Sequence, residues 1–213
     1  MFADHFYTGV VIPTSVLLPI VPAVIVYRNL ERPQKIIFFY LIFAGIVDGV
    51  AGWLSMHHMS NLWILHPYTA IETVLLLWFY HSIISDKLVR RVVAVLMVLF
   101  PLICIANMIW GQGLLRFNTY TRPLEALILI FTGIVYFFES SRAVYRTKPG
   151  MQKALSWMNA GLLIYFSSGF FYFIFSNYLK PGQAFSIFIL IVHATFVLFM
   201  YLLFMIGFLR CRN

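Results

Sequence analysis

The sequence is poor in charged residues and in cysteine. Asp, Glu, Lys and Arg make up 10% of the 213 residues, whereas hydrophobic residues make up 62%. No polar loop is long enough to fold as a separate soluble domain, so residues 1–213 are expected to form one domain that works within a membrane. The two cysteines, Cys104 and Cys211, are predicted near opposite membrane surfaces. They cannot form a disulfide in one chain, because its two α-carbons must lie within about 7 Å.

The sequence also lacks the signature motifs of several membrane-protein classes. It contains no His-x-x-x-His or His-Glu-x-x-His pair, which excludes the spaced ligands of known intramembrane zinc enzymes. It has no Gly-x-Ser-x-Gly nucleophile motif. The last hydrophobic stretch has no lysine, so it cannot form a retinal Schiff base. The Asp-Arg-Tyr and Asn-Pro-x-x-Tyr motifs of class A receptors are absent as well.

Long hydrophobic stretches are what the sequence has in abundance. There are seven of them, each of about 20 residues, which is the length that crosses a bilayer core at a rise of about 1.5 Å per residue. They lie near residues 8–27, 36–56, 62–84, 92–110, 119–141, 154–178 and 185–208. The pattern predicts an all-α, polytopic integral membrane protein, a bundle of seven transmembrane helices in contact with the lipid bilayer.

Basic residues alternate between the two sides of the predicted membrane. Of the 15 Lys and Arg residues, all but Arg116, Arg122 and Lys180 follow the first, third, fifth or seventh stretch. The positive-inside rule therefore places the N-terminus outside and the C-terminus in the cytoplasm. The same pattern explains the net charge of +8 without a nucleic-acid partner. Short loops and the lack of an Asn-x-Ser/Thr sequon favour a bacterial inner membrane.

Two of the basic loops resemble each other. Residues 27–35 and 145–153 both begin Tyr-Arg and end Gln-Lys. This match suggests a 3+1+3 parallel pseudo-repeat in which the fourth helix connects two triplets, an arrangement found among membrane transporters. The alternative is that basic loops are alike in any membrane protein. Cys211, between Arg210 and Arg212, is either a juxtamembrane acylation site or an unmodified thiol.

Five ionisable residues lie within the outer half of the predicted spans. Asp48, Glu72 and His193 are deep, and Glu125 and His66 are nearer the outer surface. A charged side chain at a helix centre costs about 2.5–3.5 kcal/mol on insertion scales, so these groups should face the bundle interior. Together with Tyr68, which shares a helix face with Glu72, they form the candidate site. The predicted ligand- or ion-binding residues are Asp48, His66, Tyr68, Glu72, Glu125 and His193.

Three interpretations of this cluster stay open. It could line a cavity that binds a small polar solute, ion or proton, as in a transporter or ligand sensor. It could instead hold a metal such as zinc through His66, His193 and Glu72, as in an intramembrane hydrolase acting on a lipid-derived substrate. It could also be structural, for instance with Glu72 paired to His193. The first is favoured over an enzyme, whereas the sequence identifies no ligand or cofactor and is compatible with a membrane-protein partner or a homo-oligomer.

Four finer expectations concern packing and pairing. Arg122 and Glu125 are three residues apart and are expected to pair at the rim, which leaves Glu72 away from strong cations as a candidate proton-binding group. Asn159 is a candidate interhelical hydrogen bonder. The mid-span prolines of the first stretch predict a kinked helix. A close-packing face on the second helix is predicted from its small residues, which are Ala44, Gly45, Gly49 and Gly52.

Overall fold

The computed structural model describes residues 6–142, 149–179 and 183–212, and within these ranges it contains helices and no strand. Seven helices are long and apolar enough to cross a membrane. They are α1 (Tyr7–Ile25), α2 (Arg32–Met56), α3 (Leu62–Ile83), α4 (Lys87–Gly111), α5 (Thr121–Arg142), α6 (Gly150–Phe175) and α7 (Ala184–Leu209). The predicted all-α class and the seven spans are confirmed.

Six of the helices form a ring, and the seventh lies outside it. Around the ring, α1 packs on α2, α2 on α3, α3 on α5, α5 on α6, α6 on α7, and α7 on α1. In contrast, α4 packs mainly on α3. Only 17% of the most apolar 18-residue stretch of α4 is buried, the smallest share among the seven helices. The bundle interior is therefore built by α1, α2, α3, α5, α6 and α7.

Helices α3 and α5 run parallel. Thr69 in the first half of α3 contacts Asn118 just before α5, whereas the Tyr80 hydroxyl near the end of α3 approaches Gly133 at the middle of α5. The odd-numbered helices thus begin at one end of the bundle, which is here called the outer end after the charge-based prediction. Membrane orientation and the 3+1+3 repeat stay predictions.

Helix α1 is irregular, as its prolines predict. A π-helical turn opens it at Tyr7–Val11, and the regular helix is interrupted at residues 15–16 before it resumes at Leu17. Pro19 has no N–H to donate to the Ser15 carbonyl, which accepts from Leu18 N at 3.0 Å instead. The break falls one turn before the proline that causes it.

Helix starts follow local capping chemistry. The Glu31 N–H donates to Gln34 Oε1 at 3.0 Å in a capping box that begins α2. Asp86 Oδ1 accepts from the N–H groups of Leu88 and Val89, at 2.8 and 2.9 Å, and so begins α4. Because of this cap, α4 starts several residues before the hydrophobic stretch that predicts it.

Small residues do not all mark close contacts. A Cβ placed on Gly161 of α6 would lie 3.1 Å from the Phe204 ring and 3.2 Å from the Met200 carbonyl of α7, so these helices approach closely. On α2, a Cβ on Gly49 or Gly52 would meet nothing within 4 Å. The predicted packing face on α2 is wrong at these two positions, because small side chains permit a close neighbour without supplying one.

The inner half of the ring is filled by large side chains. Its fully buried members include Leu76, Leu77, Phe79, Tyr80, Phe204 and Phe208. Within this core Asn159 of α6 accepts from the Tyr80 hydroxyl at 2.9 Å and donates to the Gly133 carbonyl at 3.2 Å. Asn159 therefore joins three helices, which confirms it as an interhelical hydrogen bonder.

Candidate functional site

A buried ionic group, the Arg122 cluster, occupies the outer half of the ring. It consists of Arg122, Glu72 and Glu125, with Arg122 7% exposed and both carboxylates fully buried. Arg122 Nη1 donates to Glu72 Oε2, and the same nitrogen donates to Glu125 Oε2 at 2.7 Å. One guanidinium is thus shared by two carboxylates from different helices.

Hydroxyl groups satisfy the remaining oxygens of the two carboxylates. Tyr40 and Tyr68 donate to Glu72 Oε1 at 2.9 and 3.0 Å, and the latter contact confirms that Tyr68 and Glu72 share a helix face. Thr73 donates to Glu125 Oε1 at 2.6 Å. Both carboxylates are consequently embedded in hydrogen bonds, as buried charges require.

Arg122 is the residue whose position differs most from the prediction. It does pair with Glu125, but the pair is buried rather than at the rim, and Glu72 is in contact with a strong cation rather than away from one. Its Nη2 donates to Tyr165 at 2.9 Å. The rings of Tyr68 and Phe173 lie 5.2 and 4.7 Å from the guanidinium carbon, within the usual range of a cation–π contact.

The loop between α4 and α5 is folded and leads directly into the buried start of α5. Gln112, itself 9% exposed, donates to Thr119 Oγ1 at 2.6 Å and accepts from the Thr119 N–H at 2.9 Å, which folds residues 112–120 back on themselves. Asn118 accepts from the Thr121 N–H at 3.2 Å and caps the start of α5. The first three residues of α5, which are Thr121, Arg122 and Pro123, are buried and do not lie at an open surface.

A cavity of about 390 Å³ lies beside the Arg122 cluster at the outer end. All six ring helices contribute to its wall, and none of its lining residues lies on α4. Its polar lining residues are Thr8, Tyr40, Asp48, Asn61, Tyr68, Arg122, Tyr165, His193 and Tyr201. This volume falls within the range of about 300–1,000 Å³ that is typical of small-molecule sites.

Asp48 and His193 are the two predicted ionisable residues that line the cavity, whereas Glu72 and Glu125 lie behind its wall. Among the residues that the structure describes, Asp48 has no hydrogen-bond or ion-pair partner. The His193 ring stacks on Tyr172 with centroids 4.6 Å apart, and its Nδ1 is buried without a hydrogen-bond partner. The pairing of Glu72 with His193, given as an example under the structural interpretation, is not found, because Glu72 pairs with Arg122 instead.

His66 lies at a depth similar to that of His193 but contacts the α4–α5 loop instead of the cavity. It is 1% exposed, and its Nε2 lies 3.2 Å from the Arg116 carbonyl oxygen of the α4–α5 loop. It does not line the cavity and so does not join His193. Across the described ranges, no group of three or more His, Cys, Asp or Glu side chains could hold a metal. The proposed zinc ligands His66, His193 and Glu72 therefore do not fit a shared ion.

The inner end carries a smaller polar cavity of about 260 Å³ between α2, α3, α5 and α6. Glu139 at this end accepts from the N–H groups of Ser85 and Asp86, at 2.7 and 3.1 Å. The large buried side chains of the inner core lie between this cavity and the outer one.

Also near the inner end, the half-buried thiol of Cys211 donates to the Gly207 carbonyl at 3.5 Å, and burial raises the pKa of Cys211 to about 11.

No protein-family model, curated protein or solved structure matches the chain. The seven apolar helices are consistent with an integral membrane protein. The outer cavity and the Arg122 cluster are the structural features that bear on function.

Proposed function

We propose that the chain is a transporter or ligand sensor that binds a small polar solute, ion or proton in the outer cavity. One observation carries the proposal: the Asp48 carboxylate lines a cavity of about 390 Å³ and has no partner among the described residues. A carboxylate in the outer half of a membrane span is costly unless it has a polar contact. A bound solute or a proton would supply that contact.

The Arg122 cluster supports this proposal by holding the cavity wall in shape. Arg122, Tyr40 and Tyr68 line the cavity, and each of them also donates a hydrogen bond to Glu72. A solute that moves any of these side chains would therefore disturb an ionic group joining α3 and α5. Such a coupling suits both a sensor and a transporter.

The position of the cavity supports binding from the outer side. The cavity is lined by the first turns of α3 and the last turns of α2, and the packed inner core lies beneath it. A transporter would need a second state that opens the inner core, whereas a sensor would not. The metal-dependent hydrolase has no support from the donor geometry, because His66 and His193 are separated.

Ligand binding in detergent-free nanodiscs tests the proposal. The thermal unfolding temperature is measured with choline, glucose, acetate and sodium ions as probes, and at least one probe is expected to raise it. Ala51→Trp, which fills the cavity from α2, should abolish the shift. Gly52→Trp is the matched control, because Gly52 does not line the cavity and has open space around it. Equal shifts in both variants, or no shift with any probe, would contradict the proposal.

We further propose that the protein lies in a bacterial inner membrane with its N-terminus outside. The charge asymmetry of the loops is what supports this orientation. Single cysteines introduced into residues 28–35, 85–91 or 142–153 should react with a membrane-impermeant maleimide only after the membrane is opened. Labelling of any of these loops in intact cells would reverse the orientation.

A further inference from the structure

The charge of the outer cavity identifies the class of solute that it suits. We infer that the cavity binds a small organic cation, such as a protonated amine or a quaternary ammonium, with Asp48 as the counter-ion. The inference rests on the proposed function, because it takes the outer cavity as the binding site. It is carried by the balance of charges, by the volume of the cavity and by the chemistry of its wall.

The balance of charges is negative. Three carboxylates, those of Asp48, Glu72 and Glu125, lie in or directly behind the wall, against the single guanidinium of Arg122. Within the described part of the chain no other Lys or Arg lines the cavity. Three carboxylates against one guanidinium leave an excess of negative charge, and Asp48 is the carboxylate that has no contact with Arg122. A cation entering the cavity would neutralise this excess.

Arg122 already has two anionic partners. Its Nη1 donates to Glu72 and to Glu125, and its Nη2 donates to Tyr165, so three of its five N–H donors are taken. Aromatic rings lie near its guanidinium as well, those of Tyr68 and Phe173. An anion that approached Arg122 would lie beside the carboxylates of Glu72 and Glu125, and their like charge would oppose its binding. The one positive charge in the wall therefore does not make the cavity an anion site.

The volume and the aromatic wall favour an organic cation over a bare metal ion. A cavity of about 390 Å³ is far larger than one dehydrated monovalent ion. Its wall includes the aromatic residues Phe117, Tyr165 and Tyr201, and aromatic rings attract alkylammonium groups. The carboxylate of Asp48 would fix the charged group, and the aromatic side chains would contact its carbon atoms.

A cysteine at position 51 provides a test that needs no knowledge of the natural ligand. Ala51 lines the cavity one helical turn from Asp48 and on the same face of α2. Ala51→Cys is introduced into the full chain after replacement of Cys104 and Cys211 by serine. Rates of modification are compared for the cationic 2-(trimethylammonium)ethyl methanethiosulfonate and the anionic 2-sulfonatoethyl methanethiosulfonate.

The expected result is a strong preference for the cationic reagent. Relative to Met59→Cys in the exposed outer loop, the ratio of cationic to anionic rates at position 51 should be at least about tenfold higher, because one unbalanced buried charge changes local ion concentrations by this order. Adding Asp48→Asn should bring the ratio close to that of the loop reference. Asp86→Asn, a change of the same chemistry at the cap of α4, should leave it unchanged.

The possible outcomes separate this inference from the proposed function. If the ratio of cationic to anionic rates at position 51 does not exceed the ratio at the loop reference, the cation inference is overturned while an accessible cavity remains. If neither reagent modifies position 51, the cavity is closed to solutes and the proposed function fails as well. If the preference persists in Asp48→Asn, the counter-ion is not Asp48 and the inference is again overturned.

Discussion

Replacing Arg122 by glutamine should destabilise the protein more than any other single change at the outer end. The variant leaves Glu72 and Glu125 buried without a cation and removes the hydrogen bond to Tyr165. Removing one partner of a buried ion pair costs about 3–5 kcal/mol. For a soluble chain of this length, 1 kcal/mol corresponds to about 2–4 °C, so the unfolding temperature should fall by roughly 6–20 °C.

Two companion variants distinguish the loss of Arg122 alone from the loss of other members of the Arg122 cluster. Glu72→Gln should cost less, about 1–2 kcal/mol, because Glu125 still balances Arg122 and the glutamine oxygen can still accept from Tyr40 and Tyr68. The triple variant Arg122→Met, Glu72→Gln and Glu125→Gln should recover much of the loss, because replacing a whole buried ionic group by neutral side chains is often nearly neutral. These values refer to thermal unfolding in nanodiscs followed by intrinsic fluorescence.

A surface arginine supplies the control for the Arg122 prediction. Arg116→Gln removes the same charge from the exposed part of the loop and should change stability by no more than about 0.5 kcal/mol. The reasoning is refuted if Arg122→Gln unfolds no more easily than Glu72→Gln. It is also refuted if the triple variant is no more stable than Arg122→Gln alone.

Three further changes test other parts of the structure. Gly161→Leu should lower stability by about 1–3 kcal/mol, because the leucine side chain would enter the α6–α7 contact. Gly49→Leu should change stability by less than about 0.5 kcal/mol, because the space beside Gly49 is open. Equal effects of the two changes on the thermal unfolding temperature would contradict this contrast. Asn159→Leu should cost about 1–3 kcal/mol because it leaves a buried hydroxyl unpaired, and an unchanged unfolding temperature would argue against that role. Burial favours the neutral thiol of Cys211, so at pH 8 it should react with iodoacetamide about 100-fold more slowly than a thiol with a pKa of 9.0. The rate should rise about tenfold per pH unit up to about pH 11. A plateau of the rate near pH 9 would contradict the raised pKa of Cys211.

The helices were predictable because the bilayer imposes a simple length requirement. A span needs about 20 apolar residues, and hydropathy finds such stretches directly. The predicted stretches and the observed helices differ mainly at their ends. Helix α4 begins at Lys87 rather than near residue 92, because charged residues are excluded from a hydropathy window but not from the helix that Asp86 caps.

The arrangement of the site was less predictable, because counting residues along a span gives depth but not direction. His66 and His193 have similar depths, yet one contacts a loop carbonyl and the other stacks on Tyr172. The sequence places Arg122 at the rim because its position near the start of a span does not show that the first turn of α5 is buried. Its spacing of three residues from Glu125 was the available signal, since a basic and an acidic residue one turn apart inside a span can pair there.

The direction in which each helix enters the membrane gives α4 an importance that its own contacts do not suggest. Glu72 and Arg122 can meet because α3 and α5 cross the membrane in the same sense, and this requires one intervening crossing. Excision of α4 would insert α5, α6 and α7 upside down and place the two charges near opposite surfaces. The exposed face of α4 should therefore tolerate almost any apolar substitution, while the presence of the helix is indispensable.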